Sequence, residues 1–120
     1  MADKMKLHTL LGNYANVAGL KDGRVKSDLI EWDFPDFPVA NRGFKPMVRE
    51  HRFDAGELAI VTFLQAKVYG LPYVLLPATV VGRGQLHTVA YNSERGTLKP
   101  SDLNGGKFGV RSYTQTTGIW

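Results

Sequence analysis

The sequence predicts an α/β fold with a partly parallel sheet. Short apolar runs of strand length alternate with segments whose apolar residues recur at helical spacing. Glycine and proline clusters such as Gly70-Leu-Pro72 and Gly105-Gly106 separate them. No internal repeat or low-complexity stretch interrupts the alternation. Strands joined through helices pair in parallel, because a hairpin cannot connect them.

In order, Lys6–Leu11 is expected as a first strand, ended by Gly12. Asn13–Asp28 is a long loop with a short helix and an Asp22-Gly23 turn. Leu29, Ile30, Trp32 and Phe34 alternate in part, which suits a second strand over Leu29–Phe34; Pro35 and Pro38 end it. Between Val39 and Phe53, Phe44, Met47 and Val48 form a helical stripe, with Arg42, Lys45, Arg49 and Arg52 on the wet face. Gly43 and Pro46 confine the firm helix to the second half of that segment.

Asp54-Ala-Gly56 is expected to turn the chain, and Glu57–Val61 to form a short strand or a helix lead-in. Ile60, Leu64 and Val68 recur every four residues, so a helix continues over Thr62–Tyr69. Two further strands are predicted, Tyr73–Val81 (interrupted by Pro77) and His87–Tyr91, with the Gly82-Arg83-Gly84 loop between them. Pro100 suits the first position of a short helical turn, and Gly105-Gly106 its exit. Lys107–Tyr113 reads as a strand, and Thr114, Thr116 and Thr117 as a helix start. The chain stops at Trp120 before that helix completes two turns, so part of a larger fold is expected.

At 120 residues the chain can bury one modest core. Fifteen basic and eleven acidic residues leave a net charge of +4, scattered from Lys4 to Arg111 rather than clustered, which disfavours a nucleic-acid partner. Cysteine is absent, excluding disulfides, thiolate catalysis and Cys-ligated zinc. No apolar run approaches the ~18 residues of a membrane span, and the N-terminus makes a poor signal peptide. A cytoplasmic location without membrane contact is the expectation.

Ligands of open α/β sheets sit beyond the carboxyl ends of the strands. The polar segments expected there are Gly12-Asn13-Tyr14, Ala55-Gly56-Glu57, Arg83–His87 and Tyr113–Thr117. Asp22-Gly-Arg-Val25, Phe53-Asp-Ala-Gly-Glu-Leu58, the Arg83…His87 loop running into Val89-Ala-Tyr-Asn92, and Lys99-Pro-Ser-Asp-Leu-Asn-Gly-Gly-Lys-Phe-Gly-Val110 together carry a resemblance. The chain resembles the 4,5-dihydroxyphthalate decarboxylase group of the type II periplasmic-binding-protein-like superfamily. That resemblance implies two lobes closing on a ligand. Residues 1–104 would form lobe one, and residues 105–120 the crossover strand and the start of lobe two. A second chain or self-association would then complete the fold.

The implied reaction releases CO2 from a hydroxylated aromatic carboxylate, leaving a dihydroxybenzoate. It requires cations for carboxylates, a general acid near the ring and a base for the hydroxyl. Arg83 is the candidate carboxylate anchor, its guanidinium offering two parallel donors, against the reading of a surface-loop arginine. His87 and Glu57 are the candidate acid and base, against a structural histidine and a helix-start cap. Thr114, Thr116 and Thr117 could bind an anion or simply cap a helix. Tyr14 and Tyr113 could stack on a ring or fill the core, and Asn13 stands beside Tyr14. The scheme forces no cofactor. His8, His51 and His87 lack metal-ligand spacing, and Gly82-x-Gly84 lacks the rest of a dinucleotide fingerprint. The competing reading is a solute-binding module of an ABC-type uptake system that captures a small organic anion without chemistry.

Overall fold

A computed structural model of the chain describes residues 3–37, 39–82, 84 and 86–119. Its centre is a three-stranded parallel sheet. Strand β1 (Met5–Leu10) lies between β2 (Ile30–Asp33) and β3 (Ala55–Gly56), giving the order 2-1-3. Met5 faces Ile30 and His8 faces Asp33 across one ladder; Thr9 faces Ala55 and Leu10 faces Gly56 across the other. Helix α1 (Ala18–Lys21) connects β1 to β2, α2 (Phe44–Glu50) connects β2 to β3, and α3 (Ile60–Val68) follows β3. The α/β class therefore holds, with every strand pair parallel.

Alternation along each strand sorts the two faces. His8 and Leu10 share one face of β1. His8 stacks on Phe53 at 5.1 Å between ring centroids, and Leu10 is fully buried in a core with Met47 and Phe53. Phe37, Phe44, Leu58 and Tyr73 surround that core. A Cβ on Gly43 would stand 2.5 Å from the Leu10 methyl carbons, so α2 is entered through a residue that lets the backbone lie against the sheet. Trp32 and Phe34 stack at 6.2 Å, and the Lys21 ammonium sits 5.4 Å from the Phe34 ring centroid, tying the end of α1 to the exit of β2.

Asp54-Ala-Gly56 was expected as a turn, but Ala55–Gly56 is β3. The pairing is extended on both sides, with Asp54 N–H donating to His8 O and Glu57 N–H to Leu10 O, each at 2.9 Å. The Asp54 carboxylate also accepts from the His8 N–H at 2.8 Å. A Cβ on Gly56 would meet the Leu10 carbonyl oxygen at 2.7 Å, so this glycine serves close strand approach rather than a reversal.

The strands predicted at Tyr73–Val81, His87–Tyr91 and Lys107–Tyr113 do not form, nor does the helix expected to open at Thr114. The stretch holds short 3-10 turns at Leu86–Thr88, Ser93–Arg95, Pro100–Leu103 and Thr116–Gly118. A strand exists only through its ladder, and among the described residues these segments have no partner strand. Glycine ends both helical segments where turn chemistry expects it: Gly70 follows α3 at φ +73° and Gly105 follows the Pro100 turn at φ +71°. The stripe that signalled α3 is not its buried face. Val61, Thr62 and Ala66 are buried, whereas Leu64 and Val68 are 54% and 84% exposed. Among the described residues no helix is long and apolar enough to cross a membrane.

Candidate active site

In the 2-1-3 order the chain leaves β1 toward one side, then returns across it to the other. The carboxyl ends of β1 and β3 therefore flank a switch point, where the connections part and leave a crevice. The segments leaving those ends are Leu11–Tyr14 and Glu57–Ala59.

They are joined directly: the Tyr14 hydroxyl donates to Glu57 Oε1 at 2.8 Å. Tyr14 can reach across because its ring folds back over Gly12, where a Cβ would stand 2.7 Å from the phenol carbons and hydroxyl oxygen. Glu57 Oε2, the other carboxylate oxygen, is buried and has no hydrogen-bond partner among the described residues. A buried oxygen in that state is costly, and a donor brought by a ligand would relieve the cost. The pair is thus a carboxylate with one oxygen held by Tyr14 and the other buried without a partner among the described residues.

Lys21 closes the second side. Its ammonium donates to the Leu11 carbonyl at 2.7 Å and to Asn13 Oδ1 at 2.6 Å. Both partners are neutral, so the charge itself is not balanced by a carboxylate. Asp22 next to it is committed elsewhere, accepting from Arg24 Nε at 2.8 Å and the Arg24 N–H at 3.0 Å. Asn13, Tyr14, Ala15, Ala18, Lys21 and Asp22 line an open cleft of about 460 Å³. Lys21 was not among the sequence candidates, because the signal that finds it is a contact between α1 and the β1 exit.

A third segment arrives from far along the chain. Thr62, buried in the first turn of α3, donates its hydroxyl to the Thr114 carbonyl at 2.9 Å. Thr114 Oγ1 lies 2.7 Å from Ser112 Oγ. Thr116 is half-buried and starts the turn Thr116–Gly118, Thr117 is exposed, and Tyr113 is 82% exposed. Asn16 Nδ2 donates to the Val80 carbonyl at 2.8 Å, bringing the approach to the Arg83 loop alongside the β1 exit.

Tyr14 and Glu57 are therefore brought together, Asn13 lines the cleft beside Tyr14, and of the three threonines Thr114 is tied to α3 through its backbone carbonyl. His87 is exposed in the Leu86–Thr88 turn and makes no hydrogen bond among the described residues. Arg83 lies outside the described residues. Among the described residues, no group of three His, Asp or Glu side chains is placed to hold a metal ion.

No family model matches the chain, and no solved structure matches it. Two curated proteins do, both named 4,5-dihydroxyphthalate decarboxylase. The one from Pseudomonas putida is 29% identical over 122 aligned residues, covering 98% of this chain and 46% of that protein. The one from Comamonas testosteroni is 29% identical over 121, covering 98% of this chain and 36% of its own length. The chain thus spans under half the length of the curated relatives it matches. It is distantly similar, from end to end, to one part of proteins named as decarboxylases.

Proposed function

We propose that the chain belongs to a decarboxylase-like protein acting on a hydroxylated aromatic carboxylate such as 4,5-dihydroxyphthalate, and that it forms the first lobe of a type II periplasmic-binding-protein-like fold. The observation that carries the reading is the Tyr14–Glu57 pair at the switch point of a chain aligned throughout with two such decarboxylases. The 2-1-3 parallel sheet supports the lobe. The relatives' greater length supports a second polypeptide segment, in the same chain, in another chain or in a second copy, that completes the cleft.

In this mechanism Glu57 Oε2 takes the proton of the ring hydroxyl para to the departing carboxylate. Tyr14, donating to Oε1, keeps the carboxylate aimed. The oxygen's negative charge raises electron density at the ring carbon that bears the carboxylate, and that carbon takes a proton from a general acid. His87 is the proposed acid. The C–C bond then breaks, its electron pair returns to the ring, and CO2 leaves as aromaticity is restored. Glu57 returns the proton to the phenolate oxygen. Arg83 and the Thr114–Thr117 segment are proposed to hold the substrate.

The test is CO2 release from 4,5-dihydroxyphthalate by the full chain, with Glu57→Gln alongside. Release that falls by about 10²-fold or more in the variant is the expected result. Binding of the substrate with no release would remove the decarboxylase reading, and equal release by both forms would remove Glu57 as its base.

A further inference from the structure

Resting on the reading of Thr114–Thr117 as a substrate-holding segment, we propose that Thr62 is its positioning residue, a buried hydroxyl that fixes the segment on α3 without touching the ligand. Thr62 is 8% exposed and lies in the first turn of α3, the helix that follows Glu57. A threonine inside a helix commonly bends its hydroxyl back to a carbonyl one turn earlier. Thr62 donates instead to the Thr114 carbonyl, at 2.9 Å and 52 residues along the chain. The bond joins the α/β unit to the segment after Gly105, which among the described residues belongs to no sheet.

What this bond holds is a small hydroxyl cluster. Ser112 Oγ accepts from the Thr114 N–H at 3.2 Å and lies 2.7 Å from Thr114 Oγ1. The Gln115 N–H donates to the Ser112 carbonyl at 3.1 Å. The Gly118 and Ile119 N–H groups continue the turn, donating to the Gln115 and Thr116 carbonyls at 3.0 and 3.1 Å. The Ser112 and Thr114 hydroxyls carry one hydrogen each; one closes the bond between them, and the other can donate outward. Thr62 takes the Thr114 carbonyl rather than its hydroxyl, so the tether leaves that donor to a ligand. The bonds within the turn set the shape of the cluster, and Thr62 supplies its tie to α3. A donor on loose chain binds an anion weakly, because ordering it costs conformational entropy at the moment of binding. A tether provides that order beforehand.

Thr62→Val keeps the branched shape and removes the donor, whereas Thr62→Ser keeps the donor. In the full chain, NMR order parameters of the Gln115, Gly118 and Ile119 amides should fall below about 0.6 in Thr62→Val and match the wild type in Thr62→Ser. Unchanged order parameters in β1 exclude general damage. Phthalate, an anion with no ring hydroxyl for a base to act on, reads holding without reaction. Calorimetric titration should show Thr62→Val binding it about tenfold more weakly, with Thr62→Ser within about twofold of the wild type. Order parameters that stay high in Thr62→Val overturn the proposal, as does phthalate binding that ignores a loosened segment or is absent from the wild type. Thr62-dependent phthalate binding without CO2 release from 4,5-dihydroxyphthalate would uphold this inference and remove the decarboxylase reading. Release with Thr62-independent binding would do the reverse.

Discussion

Tyr73 illustrates how much one side chain does beyond the sheet. Its hydroxyl bonds the Met47 carbonyl near the end of α2 and lies 3.1 Å from His51 Nδ1, with the two rings stacked at 5.7 Å. The Lys67 ammonium holds the Tyr73 carbonyl at 3.1 Å, so one residue clasps α2 to α3. Burial pushes the phenol above its ordinary value of 10.0. The folded state therefore keeps the proton when the unfolded chain has lost it. The resulting stability is fully present below about pH 10 and is lost as pH rises through the raised folded value. Chemical denaturation of wild type and Tyr73→Phe at pH 8 through 11 should show wild type losing stability relative to the variant above pH 10. Parallel curves would mean that Tyr73 titrates as it does in the unfolded chain.

At the scale of elements, the contact that organises the fold is α2 against β1. Leu10 and Gly43 meet so closely that a methyl group on the glycine has no room. Gly43→Ala should lower stability by about 1–3 kcal/mol through overpacking, read as a shift in the urea midpoint at constant slope. Leu10→Ala should cost about 2–5 kcal/mol through the cavity it leaves. A neutral Gly43→Ala would mean that α2 stands further from the sheet. The helical periodicity at Phe44, Met47 and Val48 was legible because α2 is amphipathic, with Met47 buried against Leu10 and Arg49 in water. The two-residue β3 was not legible. Asp-Ala-Gly has turn chemistry locally, and only the ladder to Thr9 and Leu10 makes it a strand.

The whole molecule divides unevenly. A compact chain of this mass exposes about 6,400 Å² and has a radius of gyration of about 14 Å. This one exposes 9860 Å² with a radius of 18.5 Å. The excess lies largely beyond α3, where Val74, Leu75, Leu76, Val89, Phe108 and Val110 are all exposed. Hydrogen exchange should therefore separate two regions. Amides of β1 and α3 should exchange slowly, and those of Lys107–Tyr113, which make no backbone bond among the described residues, should exchange near the unstructured rate. Strong protection over Lys107–Tyr113 in the purified protein would instead reveal a bound partner, which native mass spectrometry would identify as a second copy or another chain.

Local sequence carries the α/β class, β1 and β2, the existence of α2 and α3 and the glycine exits, because periodicity and turn chemistry act over a few residues; it misses the start of α2 at Phe44, ahead of Pro46, and the buried face of α3. It also put Asn13, Tyr14 and Glu57 in segments leaving strand ends. Their meeting was decided by tertiary structure. Tyr14 and Glu57 are 43 residues apart, and only the placement of β3 beside β1 brings their oxygens to 2.8 Å. Lys21 joined the site the same way, through a backbone carbonyl that sequence cannot mark. The strands read after Gly70 failed for the converse reason: apolar runs carry the propensity for a strand, but a strand forms only where another lies beside it.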